Sequence, residues 1–575
     1  MTKAHERPRR KQGTQASARK GGRAHGVGHA AHVASAGAHG PPVHASPPSA
    51  SALTTRVRYL PLAIAAALTL FVLVGGGPDV PGFRYSVLVA AGALALWNAQ
   101  LLTAPAYRRA GLTVVVDIKK QHWVQACAHS SIYLYWGWHV PFVKDAVPLI
   151  AVQLAFAYGF DLLLAWTRRR SYTLGFGPFP VVFSTNLFLW FRPDWFYFQL
   201  LMIAVGFAAK ELIRWNREGR KVHIFNPSSF PLAVASLLLI ATASAHITFG
   251  PEIATTQGIP PHMYLLLFAC ALPGQILFGV ASMTLSAVLT TYLFGLVYLG
   301  LNGTYYFLDC YIPVPVFLGM HLLFTDPSTA PRTELGRIMF GSLYGLSTVL
   351  LYQLLMSAGA PTFYDKLLQV PLMNLSVRAI DRAARTRWLS VIDPARLGRA
   401  LTARRRHLAY TGLWAAIFVT LSLVGGLGDR HPGQYLPFWM RTCEQGNARA
   451  CAYLAVVDHQ MCNAGSGWAC NEAAVLGDRH YHGLDASMDA PLRARMFDEG
   501  CALGNRAACH NVARLRAGNS QFERDAPGVA DLPIVLQGSR LGPVPETTPA
   551  GLYARACAQG WPGMCERPEL RSPPR

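Results

Sequence analysis

Residues 321–345, HLLFTDPSTAPRTELGRIMFGSLYG, decide how this chain folds. Between two apolar runs they place Thr325, Asp326, Pro327, Ser328, Thr329, Pro331, Arg332 and Thr333. A proline removes a backbone donor and clashes with the preceding turn, so a helix that enters this stretch breaks in it. Broken backbone bearing hydroxyls and charges is tolerated beside lipid only where protein or a water-filled cavity surrounds it. The stretch is therefore either a functional break inside a membrane domain or a polar loop between two spans.

The rest of the composition favours a membrane setting. The chain has 575 residues, 52% of them hydrophobic and 14% charged, with a mean hydropathy of +0.24. That is too apolar for a soluble protein of this length. A net charge of +22 would suggest a nucleic-acid partner until it is located. From Asp429 to Arg575 there are 15 acidic and 15 basic residues, so the whole excess precedes that point. It belongs to a tail and to membrane loops, where it reports orientation and not nucleic acid.

Residues 1–57 are rich in Ala, Gly, His, Pro and Ser and read as a disordered basic cytoplasmic tail. The tail histidines (His5, His25, His29, His32, His39 and His44) lack the fixed spacing of a metal site. The first apolar run starts too late for a cleavable signal peptide. Apolar runs follow at residues 60–76, 85–102, 122–142, 147–166, 178–191, 195–212, 230–247, 263–301, 305–324, 338–356 and 408–426. At roughly twenty residues per crossing these give about eleven spans. The expected fold is an all-α polytopic bundle with broken or re-entrant helices. Residues 58–170 form its first spans, 171–382 its core, 383–407 a basic cytoplasmic linker and 408–428 the final transmembrane helix.

Basic clusters at the tail, Arg108 and Arg109 with Lys119 and Lys120, Arg168 to Arg170, residues 214–221 and residues 378–406 fall on alternate loops, all expected in the cytoplasm. Lys210 and Glu211 belong at that interface, where their charges reach water. The span after residue 407 then carries the remainder of the chain across, which requires an odd count. Residues 263–301 accommodate one span plus a re-entrant half-helix at Leu272-Pro273-Gly274, or two spans; eleven fits if they cross once.

The exported residues 434–575 carry a signature of their own. CEQGNARAC, CNAGSGWAC, CALGNRAAC and CAQGWPGMC set Cys443 against Cys451, Cys462 against Cys470, Cys501 against Cys509, and Cys557 against Cys565. A glycine three residues after the first cysteine suits the left-handed end of a helix, and reversal there returns the second cysteine beside the first. Eight of the 11 cysteines lie in these pairs, and an oxidising compartment is where such disulfides persist. A zinc site is the competing reading, although its cysteines are usually closer together.

The central stretch, TDPSTAPRTELGRIMFG, resembles the Asp-Pro-x-Thr/Ser-x-Pro and Gly-Arg-x-x-Phe-Gly segment of the membrane subunits RnfD and NqrB. FNPSSF at residues 225–230 and LMNLSVRAIDR at residues 372–382 are similar to two further segments of that family, in the same order. The paired cysteines, with CAYL following, resemble Sel1-like repeats, which are stacked helical hairpins that bind other proteins. Their first cysteines are 19, 39 and 56 residues apart, so the array is irregular or interrupted, notably over residues 526–550.

The RnfD/NqrB resemblance implies an electron-transfer subunit in a bacterial inner membrane, coupled to ion transport and working with other redox subunits. It also implies FMN attached through phosphate to a threonine, which places Thr255 at the attachment position and Thr256 beside it. Glu252 and Ile253 depart from the family's motif, and a bulky Ile253 is expected to crowd the ester. The broken segments offer Asn226, Thr325, Asp326 and Arg337 as cofactor or ion ligands, with Asp326 expected to pair with Arg332 or Arg337 and Asn226 to approach as a hydrogen-bond donor. His122, His129 and His139 invite a haem reading or ordinary polar packing. No Fe–S cysteine motif or dinucleotide fingerprint is evident, so redox partners would be required. The alternative is a permease-like protein or scaffold whose repeat region binds an exported partner. The lipid bilayer is a partner in either case.

Overall fold

The computed structural model describes residues 56–570, apart from residues 218, 482, 483, 487, 539–541 and 543. The tail and its histidines lie outside them, except for positions 56 and 57. The chain is predominantly helical, and five stretches are long and apolar enough to cross a membrane: Pro81–Thr103, Pro141–Arg168, Pro193–Leu212, Ala281–Asn302 and Glu334–Ser357.

The first helices are α1 (Leu60–Leu73), α2 (Pro81–Thr103), α3 (Lys120–His139), α4 (Val147–Arg168), α5 (Pro178–Asn186), α6 (Phe196–Leu212) and α7 (Ser229–Ala241). Four of them carry proline at the first or second position, where its missing N–H is no loss to the helix. After α8 (Gly250–Thr256) come α9 (Met263–Phe278), α10 (Ala281–Asn302) and α11 (Val314–Leu318), which continues as a π turn over Gly319–Leu323. The bundle closes with α12 (Glu334–Ser357), α13 (Gln369–Ala384) and α14 (Ala403–Leu423). Outward faces are apolar: Leu134 and Trp138 of α3 are 76% and 85% exposed, as lipid-facing side chains would be.

Short strands interrupt the all-α expectation. β1 (Thr113–Val116) pairs in parallel with β2 (Ser171–Leu174), and β3 (Arg214–Arg217) forms a hairpin with β4 (Arg220–His223) that turns at Gly219. Both ladders sit where the basic clusters gather. Arg169 and Arg214 pair with Glu211, Arg217 with Asp381 and Arg406 with Glu334, while Arg378 stacks on Trp215. This is the basic end of the bundle.

Two expected boundaries change. Residues 263–301 are two helices, because Gly279 turns left-handed (φ +64°) and ends α9; Ala281–Asn302 is long enough to cross a membrane, and Met263–Phe278 is a shorter apolar helix. The carbonyl of Gly279 meets Arg337 at the basic end, whereas the amide of His262, at the start of α9, meets Asp429 beyond the far end of α14. The run at residues 305–324 is not one continuous helix either; only Val314–Leu323 is helical, shorter than a full crossing. Gly303 (φ +68°) ends α10, and residues 303–313 are irregular until Pro313 admits α11. α13 adds a further return to the basic end.

The last region holds α15 (Leu436–Glu444), α16 (Ala448–Asn463), α17 (Gly467–Leu476), then β5 (Arg479–Tyr481) with β6 (Leu484–Ala486), α18 (Ala490–Ala502), α19 (Arg506–Arg516) and α20 (Pro549–Ala558). All four expected disulfides are present, with Cα–Cα distances of 4.5–4.7 Å. Gly446, Gly465, Gly504 and Gly560 all have positive φ, as the reversal requires. In three hairpins the next residue, Asn447, Ser466 or Asn505, caps the second helix. The fourth has Trp561 there, and its second cysteine falls in a single 3-10 turn.

The chain enters the stretch read as an interruption through a clasp over residues 523–531. Asp531 accepts from Ser466 and from the amide of Trp468, Asp525 accepts from Asn505, and Asn471 and Asn511 both donate to the carbonyl of Glu523. The region is seated on the loop at residues 303–313: Tyr305 packs with Leu436 and Trp439, and Arg449 donates to the carbonyl of Tyr306.

Candidate functional site

The π turn after α11 delivers the chain into the Asp-Pro break at the basic end. π turns are often found at functional sites because they set one residue out of helical register. Thr325 Oγ1 donates to the His321 carbonyl at 2.9 Å, which closes the helix. Asp326 then folds over its own turn: Oδ1 accepts from the amide of Ser328 at 2.9 Å, and Oδ2 lies 3.1 Å from His223 Nε2. Burial alone would raise the Asp326 pKa, but the His223 contact, the Ser328 amide and the charge of Lys210 hold it below the ordinary carboxylate value.

The expected partners of Asp326 therefore give way to His223 on β4. Arg337 lies in the first turns of α12, whose side chains lean toward the helix N-terminus. Its guanidinium reaches the carbonyls of Pro331 (3.0 Å) and Gly279 (2.7 Å) and not the carboxylate. The amide of Arg332 is held by Asp381, whose Oδ1 also accepts from the Thr333 amide and hydroxyl. Asp381 Oδ2 meets Arg217 Nη2 at 2.9 Å, and Arg217 Nη1 donates to the Ala330 carbonyl at 3.0 Å. A β-hairpin arginine and the Ile-Asp-Arg aspartate thus clamp the broken backbone from two sides.

Asn226 does not donate to Asp326. Its Oδ1 caps α7 by accepting from the amides of Ser228 (2.9 Å) and Ser229 (3.1 Å), and its Nδ2 donates to the Leu323 carbonyl, which the break leaves without a helical donor. Its own amide donates to Asn374 Oδ1 at 3.1 Å. Three segments remote in sequence, at Asn226, at Leu323 to Thr333 and at Asn374 to Asp381, are tied together side by side. Gly206 is required for this: a Cβ there would lie 2.4 Å from the Pro227 carbonyl oxygen.

Between these segments lies a cavity of about 120 Å³, lined among others by His122, Ser184, Lys210, His223, Ser228 and Asp326. Its inner wall leads to His129, whose Nε2 is 2.9 Å from Ser184 Oγ and whose Nδ1 is 2.6 Å from the Gln125 carbonyl. Both ring nitrogens of His129 are engaged, and His139 lines a different cavity beside Asp429, so the three histidines of α3 form no common ligand set. Beyond Ser184, Gln153, Asn186 and Gln199 exchange amide hydrogen bonds in the buried core. Interlocked amides of this kind hold helices in one arrangement.

Thr255 and Thr256 are elsewhere. α7 runs away from Asn226, and its 13 residues carry the chain about 20 Å to the opposite end before α8 begins. Thr255 is exposed and Ile253 is buried on the other face of α8, so the expected crowding does not occur. Thr255 lines a cavity of about 260 Å³ with Asp309, Asp365 and Lys366. Lys366 is its only cation among the described lining residues, and it is already bound to Asp365 (2.8 Å) and the Phe363 carbonyl (2.6 Å). A flavin phosphate on Thr255 would face carboxylates without a spare cation. These residues do not fit FMN.

Arg217, His223, Lys210 and Asp381 were not among the expected site residues. The alternation in RWNREGRKVH, with glycine at the turn, was the available signal for a hairpin that delivers Arg217 and His223. Comparison with protein-family models, curated proteins and solved structures found no match to this chain.

Proposed function

We propose that this chain is an ion-handling membrane subunit of an electron-transfer assembly of the RnfD/NqrB kind, with its working site at the cavity bounded by Asp326 and His223. The convergence of the Asn226, Asp326 and Asp381 segments carries the reading. These are the segments that resemble the family, and half-helices meeting at a polar cavity are how membrane transporters build ion sites. Electrons would be handled by partner subunits, since the carboxylates beside Thr255 and the engaged Lys366 do not suit an FMN phosphate. In this reading the basic end faces the cytoplasm of a bacterial inner membrane, and the disulfide region is extracytoplasmic.

In-gel flavin fluorescence of the denatured, purified protein tests the assignment. No covalent flavin is expected. A fluorescent band that disappears in Thr255→Val would move the working site to the opposite end.

A second reading rests on the disulfide region. Its fixed seat on the loop at residues 303–313 suits a platform that presents Sel1-like hairpins to an exported partner. Retention of one exported protein by the wild type, but not after deletion of residues 434–575, would favour it.

A further inference from the structure

We infer that the cavity at the basic end binds a small oxyanion, a phosphate group or an anion of similar size and charge. The inference takes its choice of site from the proposed function and concerns the sign and chemistry of what enters. An ion site is read from the polar valences left open once the protein has satisfied its own. Asp326 is the carboxylate of the lining, and it is already served by the Ser328 amide, by His223 and by Thr329 Oγ1. The Ser228 hydroxyl proton goes to the Val181 carbonyl, and Ser184 is engaged with His129.

What remains is donor capacity. Lys210 makes no ion pair within 4.0 Å among the described residues, because the neighbouring Glu211 turns to Arg169 and Arg214; its ammonium lies over the Phe207 ring and its charge acts on Asp161 and Asp326. His122 likewise has no hydrogen-bond partner among the described residues, and both side chains line the cavity. The N-terminus of α5 opens beside them at Gly177; Pro178 and Pro180 have no N–H, so this end offers few amides and contributes mainly the positive end of its dipole. The amides of Ser228 and Ser229 at the start of α7 are taken by Asn226, so that helix adds no free donor. A lysine, an imidazole and a positive helix end around a half-open volume with one satisfied carboxylate favour an anion over a cation. At about 120 Å³ the cavity admits a phosphate group.

The full chain in phosphatidylcholine nanodiscs provides the test. Thermal unfolding is compared in potassium phosphate and in potassium chloride at equal ionic strength, and separately in nanodiscs containing phosphatidylglycerol without added phosphate. A saturable rise in melting temperature is expected with inorganic phosphate if the anion is free, or with phosphatidylglycerol if it is a lipid headgroup. Lys210→Met should weaken the apparent affinity by about tenfold or more. His122→Gln serves as a second variant should Lys210→Met fail to fold. No shift from either source in the wild type, or a shift undiminished in the variants, overturns the inference. Flavin content and ion movement measured on the same preparation separate the two conclusions. Anion binding without electron-coupled transport would remove the proposed function alone, and transport without anion binding would remove only this inference.

Discussion

Arg217 and Asp381, 164 residues apart, form a buried ion pair at 2.9 Å whose outer hydrogen bonds hold the backbone of the Asp-Pro break at Ala330, Arg332 and Thr333. Deleting one member of a buried pair leaves the other charge uncompensated, a loss of about 3–5 kcal/mol. Arg217→Leu and Asp381→Ala should each lower the melting temperature of the detergent-solubilised protein markedly. The double variant should be less damaged than the sum of the two. Additive losses, or silent single variants, would mean that the pair is solvated and the break is an ordinary loop.

The cysteine hairpins give a sharper expectation. Peptide mapping without reductant should recover Cys443–Cys451, Cys462–Cys470, Cys501–Cys509 and Cys557–Cys565. Replacing both cysteines of one pair by serine should destabilise the region by roughly 2–3 kcal/mol, the loop-closure entropy of so short a ring. Free thiols with bound zinc would contradict both the pairing and the extracytoplasmic assignment.

Asp458, in the disulfide region, is fully buried, and neither carboxylate oxygen has a hydrogen-bond partner among the described residues. Burial, reinforced by the charge of Glu472 and opposed by Arg524, pushes its pKa well above the ordinary value. The folded state therefore binds a proton that the unfolded chain releases, and stability falls as pH rises from the unfolded carboxylate value of about 4 through the raised folded one. Asp458→Asn should remove that slope and gain stability over the wild type at neutral pH. Melting curves of the two proteins between pH 5 and 8 decide it; parallel pH profiles would show that Asp458 stays ionised.

Sidedness follows from the basic clusters. Reporter fusions after His407 and after Arg575 should report opposite sides of the membrane, with His407 on the cytoplasmic side. The same side for both would mean that α14 does not cross.

The prolines and hydroxyls of residues 325–333 announced a break, and the glycine at each cysteine hairpin announced a reversal, because both are local backbone constraints. Partnership was not legible in the same way. Arg217 and His223 lie in a basic run that reads as a solvated loop, and only the hairpin turn at Gly219 brings them over Asp381 and Asp326. Tyr305, Tyr306 and Phe307 looked like the start of a span because they are apolar. Tyr305 is buried against Leu436 and Trp439, and Tyr306 and Phe307 pack near Tyr352 of α12, so tertiary packing and not lipid satisfies them. Thr255 aligned with a family motif by order alone, and order does not encode the helix that carries it to the opposite end.

The central claim is that the cavity at Asp326 and His223, and not the surroundings of Thr255, is the working site. Reductant-driven charge movement in inverted membrane vesicles, measured with the partner subunits present, tests it most directly. Asp326→Asn and His223→Phe should reduce the initial rate by tenfold or more, a barrier change of about 1.4 kcal/mol, while Thr255→Val leaves it unchanged. Full activity in Asp326→Asn with loss in Thr255→Val would contradict the account.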